Sequence, residues 1–182
     1  RIIISEKNTA LGFTMKLKDK LIPFSLTFFV IIFDQLTKFL IVAGIEPYTI
    51  KYSFLNGFLR IIHVRNKAIA FSLGQNLPDG FRTALFSFLP LIILFLLVIY
   101  IIKTDEITVP QRWALGGIVG GGLGNLIDRF LRPDGVVDFI DVKFYGIFGL
   151  ERWPTFNVAD SSIVVFGFFL FLTMIWVKKE NQ

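Results

Sequence analysis

The sequence predicts an all-α membrane protein of four transmembrane helices with a small β-rich cap between spans one and two. Three observations carry this. The 182 residues are 54% hydrophobic with 22 Phe, and the mean hydropathy of +0.66 is too apolar for a soluble domain of this size. Four segments reach the roughly 20 apolar residues that a helix rising about 1.5 Å per residue needs to cross a core of about 30 Å. The ionisable residues inside those segments gather towards one end of the bundle instead of scattering.

In chain order, residues 1–20 are polar and mixed in charge and are expected to form an N-terminal tail, partly upstream sequence, with Met15 as an alternative start. Span one is Leu21 to Ile45. Its first part, Leu21 to Phe33, has the length of a signal-peptide core, but apolar sequence resumes after Lys38 with no small-residue cleavage site, so an uncleaved span is expected. Tyr48 to Gly74 follows. Here an Asn56-Gly57 turn signal precedes an alternating stretch, Phe58 to Asn66, which predicts a short strand pair. Span two, Thr83 to Ile102, carries no charge within it. The short link Lys103 to Arg112 leads to span three, Trp113 to Leu131, and a second long link leads to span four, Phe156 to Val177. Residues 21–178 thus form a single four-span domain, with 179–182 a polar C-terminal tail.

A charge inside a span costs several kcal/mol unless it is paired or faces water. Asp34 lies 13 residues past Leu21, about 20 Å along the helix, with Lys38 one turn further. Asp128 and Arg129 lie near the end of span three and Asp160 near the start of span four. Successive spans run in opposite directions, so all of these fall on one face. Both long links emerge there, bringing Arg65, Asn66 and Asp138 within reach. The links on this face carry slightly fewer Lys and Arg than the opposite side, which favours cytoplasmic termini. The formal charge of +5 is spread between apolar spans rather than striping a helix face, so it is read as membrane-flanking charge and not as a nucleic-acid surface.

Several motifs have a structural reading beside a functional one. Gly116, Gly120 and Gly124, with Gly117, Gly121 and Gly122 among them, suit close helix packing, and no Lys-Ser or Lys-Thr follows to make a phosphate loop. Asp34 and Lys38 at i, i+4 can neutralise each other, either as a structural ion pair or to orient a site. Asn125, Asp128 and Arg129 at i, i+3 and i+4 make one polar stripe, which is costly decoration for an anchor. His63 is the single histidine, and its surroundings support neither a triad nor zinc, so it reads as a strand residue. The absence of Cys excludes thiolate chemistry. Carboxylates remain. Two held close share a proton, so that one activates a water while the other protonates a scissile carbonyl. Asp160 is one candidate; spacing alone leaves Asp128, Asp138 and Asp141 open for the other.

Four blocks in order give the chain a resemblance. They are Asp34-Gln35-Leu36-Thr37-Lys38; Arg65-Asn66 through Ala70-Phe71-Ser72; Gly124-Asn125-Leu126-Ile127-Asp128-Arg129; and Val136-Val137-Asp138-Phe139-Ile140-Asp141 with Phe156-Asn157-Val158-Ala159-Asp160. Over about Leu21 to Val177 the chain resembles the bacterial signal peptidase II family, aspartyl endopeptidases that remove signal peptides from diacylglyceryl-modified prolipoproteins just before the lipidated cysteine. The resemblance implies a catalytic dyad of Asp138 and Asp160. It places Asn66, Asn125, Asp128, Arg129 and Asn157 at supporting or substrate-binding positions and Asp34 with Lys38 in the first motif. It further implies no metal or other cofactor, a lipid-modified prolipoprotein substrate and contact with membrane lipid; a monomer is expected. The expected place is the bacterial inner membrane, with the site and cap extracytoplasmic and the termini cytoplasmic. Two departures stand out: Ala68 replaces a usual Gly, and the loop from Arg129 to Asp138 is one residue longer than common. A small ion-coupled carrier is the alternative from another class. It would need polar groups near the midplane, whereas these gather at one face.

Overall fold

The computed structural model describes residues 15–67, 78, 80–81 and 84–180. A short helix α1 (Leu17–Leu21) turns at Pro23 into α2 (Phe24–Gly44). A π-helical turn, Ala84–Phe88, opens α3 (Leu89–Lys103); α4 (Val109–Leu131) and α5 (Val158–Glu180) complete the helices. Three stretches, Leu17–Gly44, Ala84–Lys103 and Val158–Trp176, are long and apolar enough to cross a membrane, so the chain is a multi-pass membrane protein. The predicted first span starts late: helix already forms at Leu17, inside the segment read as a polar tail. Alternating Lys16, Lys18 and Lys20 hide it, and Lys20 is in fact buried, pairing with Asp105 at 2.8 Å.

The third predicted span, in α4, is long enough but less apolar, because glycine and polar residues dilute it. Its burial explains why. Gly116 and Gly120 abut α2, where a Cβ at Gly120 would meet Thr27 O at 2.9 Å, and Gly121 abuts α5, where a Cβ would meet Ala159 O at 2.4 Å. Glycine is thus required by backbone contact on two sides of one helix. Thr27 Oγ1 donates to Gly116 O at 2.6 Å across the first contact. Leu115, Val119 and Leu126 of α4 meet Leu94 and Ile101 of α3 in the apolar core. The packing reading of the glycines is what the geometry gives.

At the end away from Asp128 and Arg129, α4 begins with a capping box in which Thr108 N donates to Gln111 Oε1 at 2.9 Å and Gln111 N to Thr108 Oγ1 at 3.4 Å. The wholly buried Arg112 donates to Ile101 O and, at 2.6 Å, to Thr104 O. These are end carbonyls of α3 that lack helical partners, so a cation is well placed there.

The predicted strand pair is present as β1 (Ile50–Phe54) and β2 (Leu59–Asn66) around the Asn56-Gly57 turn. It is half of the sheet. β3 (Val136–Ile147) and β4 (Leu150–Arg152), both from the link after α4, complete a four-stranded antiparallel sheet in the order β1-β2-β3-β4. The cap is therefore not confined to the link between the first two spans. The run Val136 to Ile140 is buried on nearly every residue, so it lacks the alternation that marks a half-exposed strand. Its register, Arg65 against Val137 and Val64 against Asp138, seats β2 beside the helix ends.

Candidate active site

Two networks of acids meet where α2, α4, α5 and β3 converge. The first is centred on Lys38. Its Nζ lies 2.8 Å from Asp34 Oδ2 and 3.1 Å from Asp128 Oδ2, and donates to Asn125 Oδ1 at 3.1 Å. An ammonium has three protons, and here it has three acceptors. Asp34 Oδ1 also accepts from Ala159 N at 2.9 Å, so a carboxylate on α2 serves one of the free amides that open α5. Asp128 accepts from Val137 N at 3.0 Å and from Gln35 Nε2 at 3.0 Å, with Arg132 Nε at 3.6 Å. Asp34, Lys38 and Asp128 have no exposed surface.

The second network holds Asp160 and Asp138. Asp160 is the third residue of α5, and Asn157 stands just before the helix. Asp160 N donates to Asn157 Oδ1 at 2.9 Å while Asn157 N donates to Asp160 Oδ2 at 3.1 Å, a reciprocal cap built from Asn and Asp. The helix N-terminus favours negative charge at that position. Asn125 Nδ2 donates to Asp160 Oδ1 at 2.7 Å. Asp138, on β3, accepts from Asn66 Nδ2 at 2.9 Å and from Asn157 Nδ2 at 2.8 Å. Asn157 thus touches both carboxyls. Asn157 Nδ2 also reaches Asn125 Oδ1 at 3.0 Å, which joins the two networks.

Burial pushes the Asp138 carboxyl up to about 7, helped by the negative charge of Asp160, while the Asn66 and Asn157 amides and Lys38 pull the other way. Asp141 stands apart on the same strand, held by Arg152 Nε at 2.6 and 2.7 Å. Of the three acids that spacing left open, Asp128 and Asp141 are each matched to a cation; Asp138 is the one that meets Asp160 through a shared amide.

All nine sequence-derived site residues therefore lie in or beside this cluster. Arg129 donates to Phe86 O in the π-turn before α3, and its charge acts on Asp160, Asp138 and Asp128. A π-turn frequently marks a functional position. His63 does not join: it sits on β2 with Nδ1 2.7 Å from Ile45 O. Gln35 and Arg132 are additions. Gln35 adjoins Asp34 in the sequence, so no helical i+3 or i+4 spacing singled it out, yet its amide bridges Asp34, Gly124 O and Asp128. The loop before Asp138 turns at Gly135, with φ +101° and a would-be Cβ 2.4 Å from Asn66 O, and Asp138 accepts from the Asn66 and Asn157 amides. Ala68 and the Ala70–Ser72 block lie outside the described residues.

Beside the cluster an apolar groove of about 470 Å³ runs between the π-turn, α3, α4 and α5, lined by residues including Phe86, Leu89, Leu94, Ile118 and Ile163.

A family profile described as Signal peptidase (SPase) II matches residues 26–176. Curated proteins named lipoprotein signal peptidase are similar throughout. The one from Treponema pallidum is 49% identical over 163 residues, 90% of this chain and 88% of its own. The one from Treponema denticola is 48% identical, covering 87% and 91%. A bacterial membrane enzyme solved by the in meso method at 2.3 Å superposes with a TM-score of 0.73 at 30% identity, over 88% of this chain and 91% of that one.

Proposed function

The chain belongs to the signal peptidase II family and is an aspartic endopeptidase that removes signal peptides from prolipoproteins, and we propose that Asp138 and Asp160 are its catalytic dyad. The observation that carries this assignment is Asn157, whose side chain and backbone bind both carboxyls and hold them to one shared environment. With its carboxyl pushed up to about 7, Asp138 carries a proton in about half of the molecules at neutral pH, and this protonated fraction supplies the acid. A water between the carboxyls gives a proton to Asp160 as its oxygen attacks the scissile carbonyl carbon. Asp138 gives its proton to the carbonyl oxygen. Collapse of the tetrahedral diol breaks the C–N bond: one diol hydroxyl returns its proton to Asp138 as it becomes the carbonyl, and the proton on Asp160 passes to the departing amine.

The finer topology follows the same reading. The helix α4 also spans the membrane, as the third of four spans in chain order and buried by its neighbours, and the sheet caps the extracytoplasmic face of the inner membrane with both termini cytoplasmic. Supporting this, Asp128 and Asp160 sit at helix ends beside the sheet, and Asp34, midway along α2, reaches both, through Lys38 and through Ala159 N. The substrate is the diacylglyceryl-modified precursor, cut before its lipidated cysteine. The apolar groove beside Phe86 suits a lipid chain lying between helices while the peptide reaches the dyad, and Arg129 holds the Phe86 carbonyl of the groove wall. The remaining residues, Asn66, Asn125, Asp34, Lys38 and Asp128, hold the dyad in place. The enzyme works as a monomer without metal.

The test is cleavage of a lipidated precursor by purified protein in detergent and lipid. Asp138→Asn and Asp160→Asn each lower kcat/KM by about 10³-fold or more, with the folded helix content retained. Full turnover by either variant overturns the dyad; ion flux into vesicles without cleavage would favour a carrier.

A further inference from the structure

Large apolar side chains on the outer faces of α2, α3 and α5 are exposed because lipid is their solvent. The same explanation does not reach the sheet, yet its far end is apolar too. Leu55, in the β1–β2 turn, is 77% exposed and Phe148, in the β3–β4 turn, is 89% exposed. Both have left-handed backbone, at φ 50° and 53°, and Tyr145 follows at 55°. Bulky residues seldom adopt that region, where polar Asn or Gly would be cheaper. Each turn therefore carries local strain and an apolar side chain that touches little of its own protein.

The two turns form one surface. Lys143 N donates to Phe58 O at 2.8 Å and Arg152 donates to Gly57 O at 3.1 Å, tying the hairpins side by side. The rings of Phe58 and Tyr145 stack at 6.3 Å. From there apolar surface runs back along β1 through Phe54 and Tyr52, whose rings also stack at 6.3 Å and which are about half exposed. Lys51 and Lys143 sit 5.7 and 5.1 Å from the ring centres of Tyr52 and Tyr145.

We propose that this aromatic edge, Leu55, Phe58, Tyr145 and Phe148 with β1 behind it, docks the sheet onto the bilayer interface, the two turn tips entering the headgroup region and the lysines meeting lipid phosphates. The occupant follows from the tethers. β1 begins six residues after Gly44, the end of one membrane-long helix, and α5, another, begins six residues after Arg152. A five-residue strand spans about 17 Å, so the edge cannot leave the neighbourhood of the membrane surface. Tyr and Trp rings beside Lys are the composition of that interface. The consequence is a sheet held against the bilayer, so that β3 presents Asp138 at a fixed depth to a substrate anchored by its lipid. The inference is independent of which acids are catalytic.

The chain has no Cys, so single-site labels need no background changes. Nitroxides at Leu55→Cys and Phe148→Cys in proteoliposomes, compared with Phe168→Cys on the outer face of α5 and Glu106→Cys in the α3–α4 loop, report accessibility to oxygen and to a nickel chelate. The expected ratio of oxygen to nickel accessibility at 55 and 148 is several-fold above that at 106 and approaches that at 168, in labelled proteins that still cleave precursor. Water-like values equal to position 106 overturn the proposal. So does a lipid-like or immobilised signal that arises only when precursor is added, which would make the edge a substrate contact.

Discussion

The two acid networks are made from the same residue type a few ångströms apart, and they differ in what neutralises them. Asp34 and Asp128 share one buried ammonium, and backbone amides fill their other lone pairs. Among the described residues Asp138 and Asp160 have amide partners, Asn66, Asn125 and Asn157, and no Lys or Arg in ion-pair contact. An amide orients a carboxyl without committing its charge. A cation commits it. Neutral partners leave a proton free to move between the acids and a water, whereas Lys38 fixes the charge of its neighbours and with it the geometry of three helices. The contrast separates a site for chemistry from the frame that holds it.

The most severe way to strain the contrast is Lys38→Met. It removes the shared cation and leaves two wholly buried carboxylates facing each other across α2 and α4. Breaking a buried pair in this way costs about 3–5 kcal/mol, so the thermal midpoint in detergent should fall steeply. Adding Asp34→Asn should recover part of the loss, because the damage is missing compensation rather than missing volume. A Lys38→Met protein that melts like the parent would mean that the frame does not depend on this charge.

How far this was legible from the sequence depends on the length scale of each contact. Asp34 with Lys38, and Asn125 with Asp128, lie one helical turn apart and could be read directly; antiparallel order then put Asp160 beside them. The Asn157 to Asp160 spacing is that of a capping box, a local signal that went unread because Asp stands where Glu or Gln is usual. Contacts across elements were out of reach: no periodicity in α2 tells that Lys38 Nζ reaches Asp128, or that Val137 N on a strand ends at the same carboxylate. The pairing of β3 with β2 was missed for a related reason. A strand buried on both faces looks like any short apolar run, and its partner lies some 70 residues earlier in the chain.

A milder probe is pH. The folded-state value for Asp138, about 7, lies above its ordinary 3.8. Between those values the native protein holds a proton that the unfolded chain has released, so this group's contribution to stability is complete below about pH 4 and is lost as pH rises through 7. The swing is of order 4 kcal/mol. Asp138→Asn should flatten that slope in denaturation curves taken across the window. Activity should follow the same proton, with kcat/KM of the parent declining above about pH 7 as the dyad loses it. A profile level to pH 9 would place the working proton elsewhere.

The smallest expected effect discriminates best, because it compares one amide side chain in each network. Asn66→Ala removes the donor 2.9 Å from Asp138 Oδ2, and Gln35→Ala removes the donor 3.0 Å from Asp128 Oδ1. Each bond to a buried carboxyl is worth about 1.5–3 kcal/mol, so both variants should lose stability, Gln35→Ala the more because its amide also serves Asp34 and Gly124 O. Their pH profiles should part. The Asn66 amide favours the ionised form of Asp138, and without it the alkaline limb of kcat/KM should move up by about one unit, since a unit corresponds to about 1.4 kcal/mol. Asp128 retains Lys38 and Val137 N after Gln35→Ala and takes no part in the proposed proton transfers, so that limb should stay where it is. Equal displacement of the limb by both substitutions would show that the cation-matched acids share the dyad's proton, and the division between frame and chemistry would dissolve.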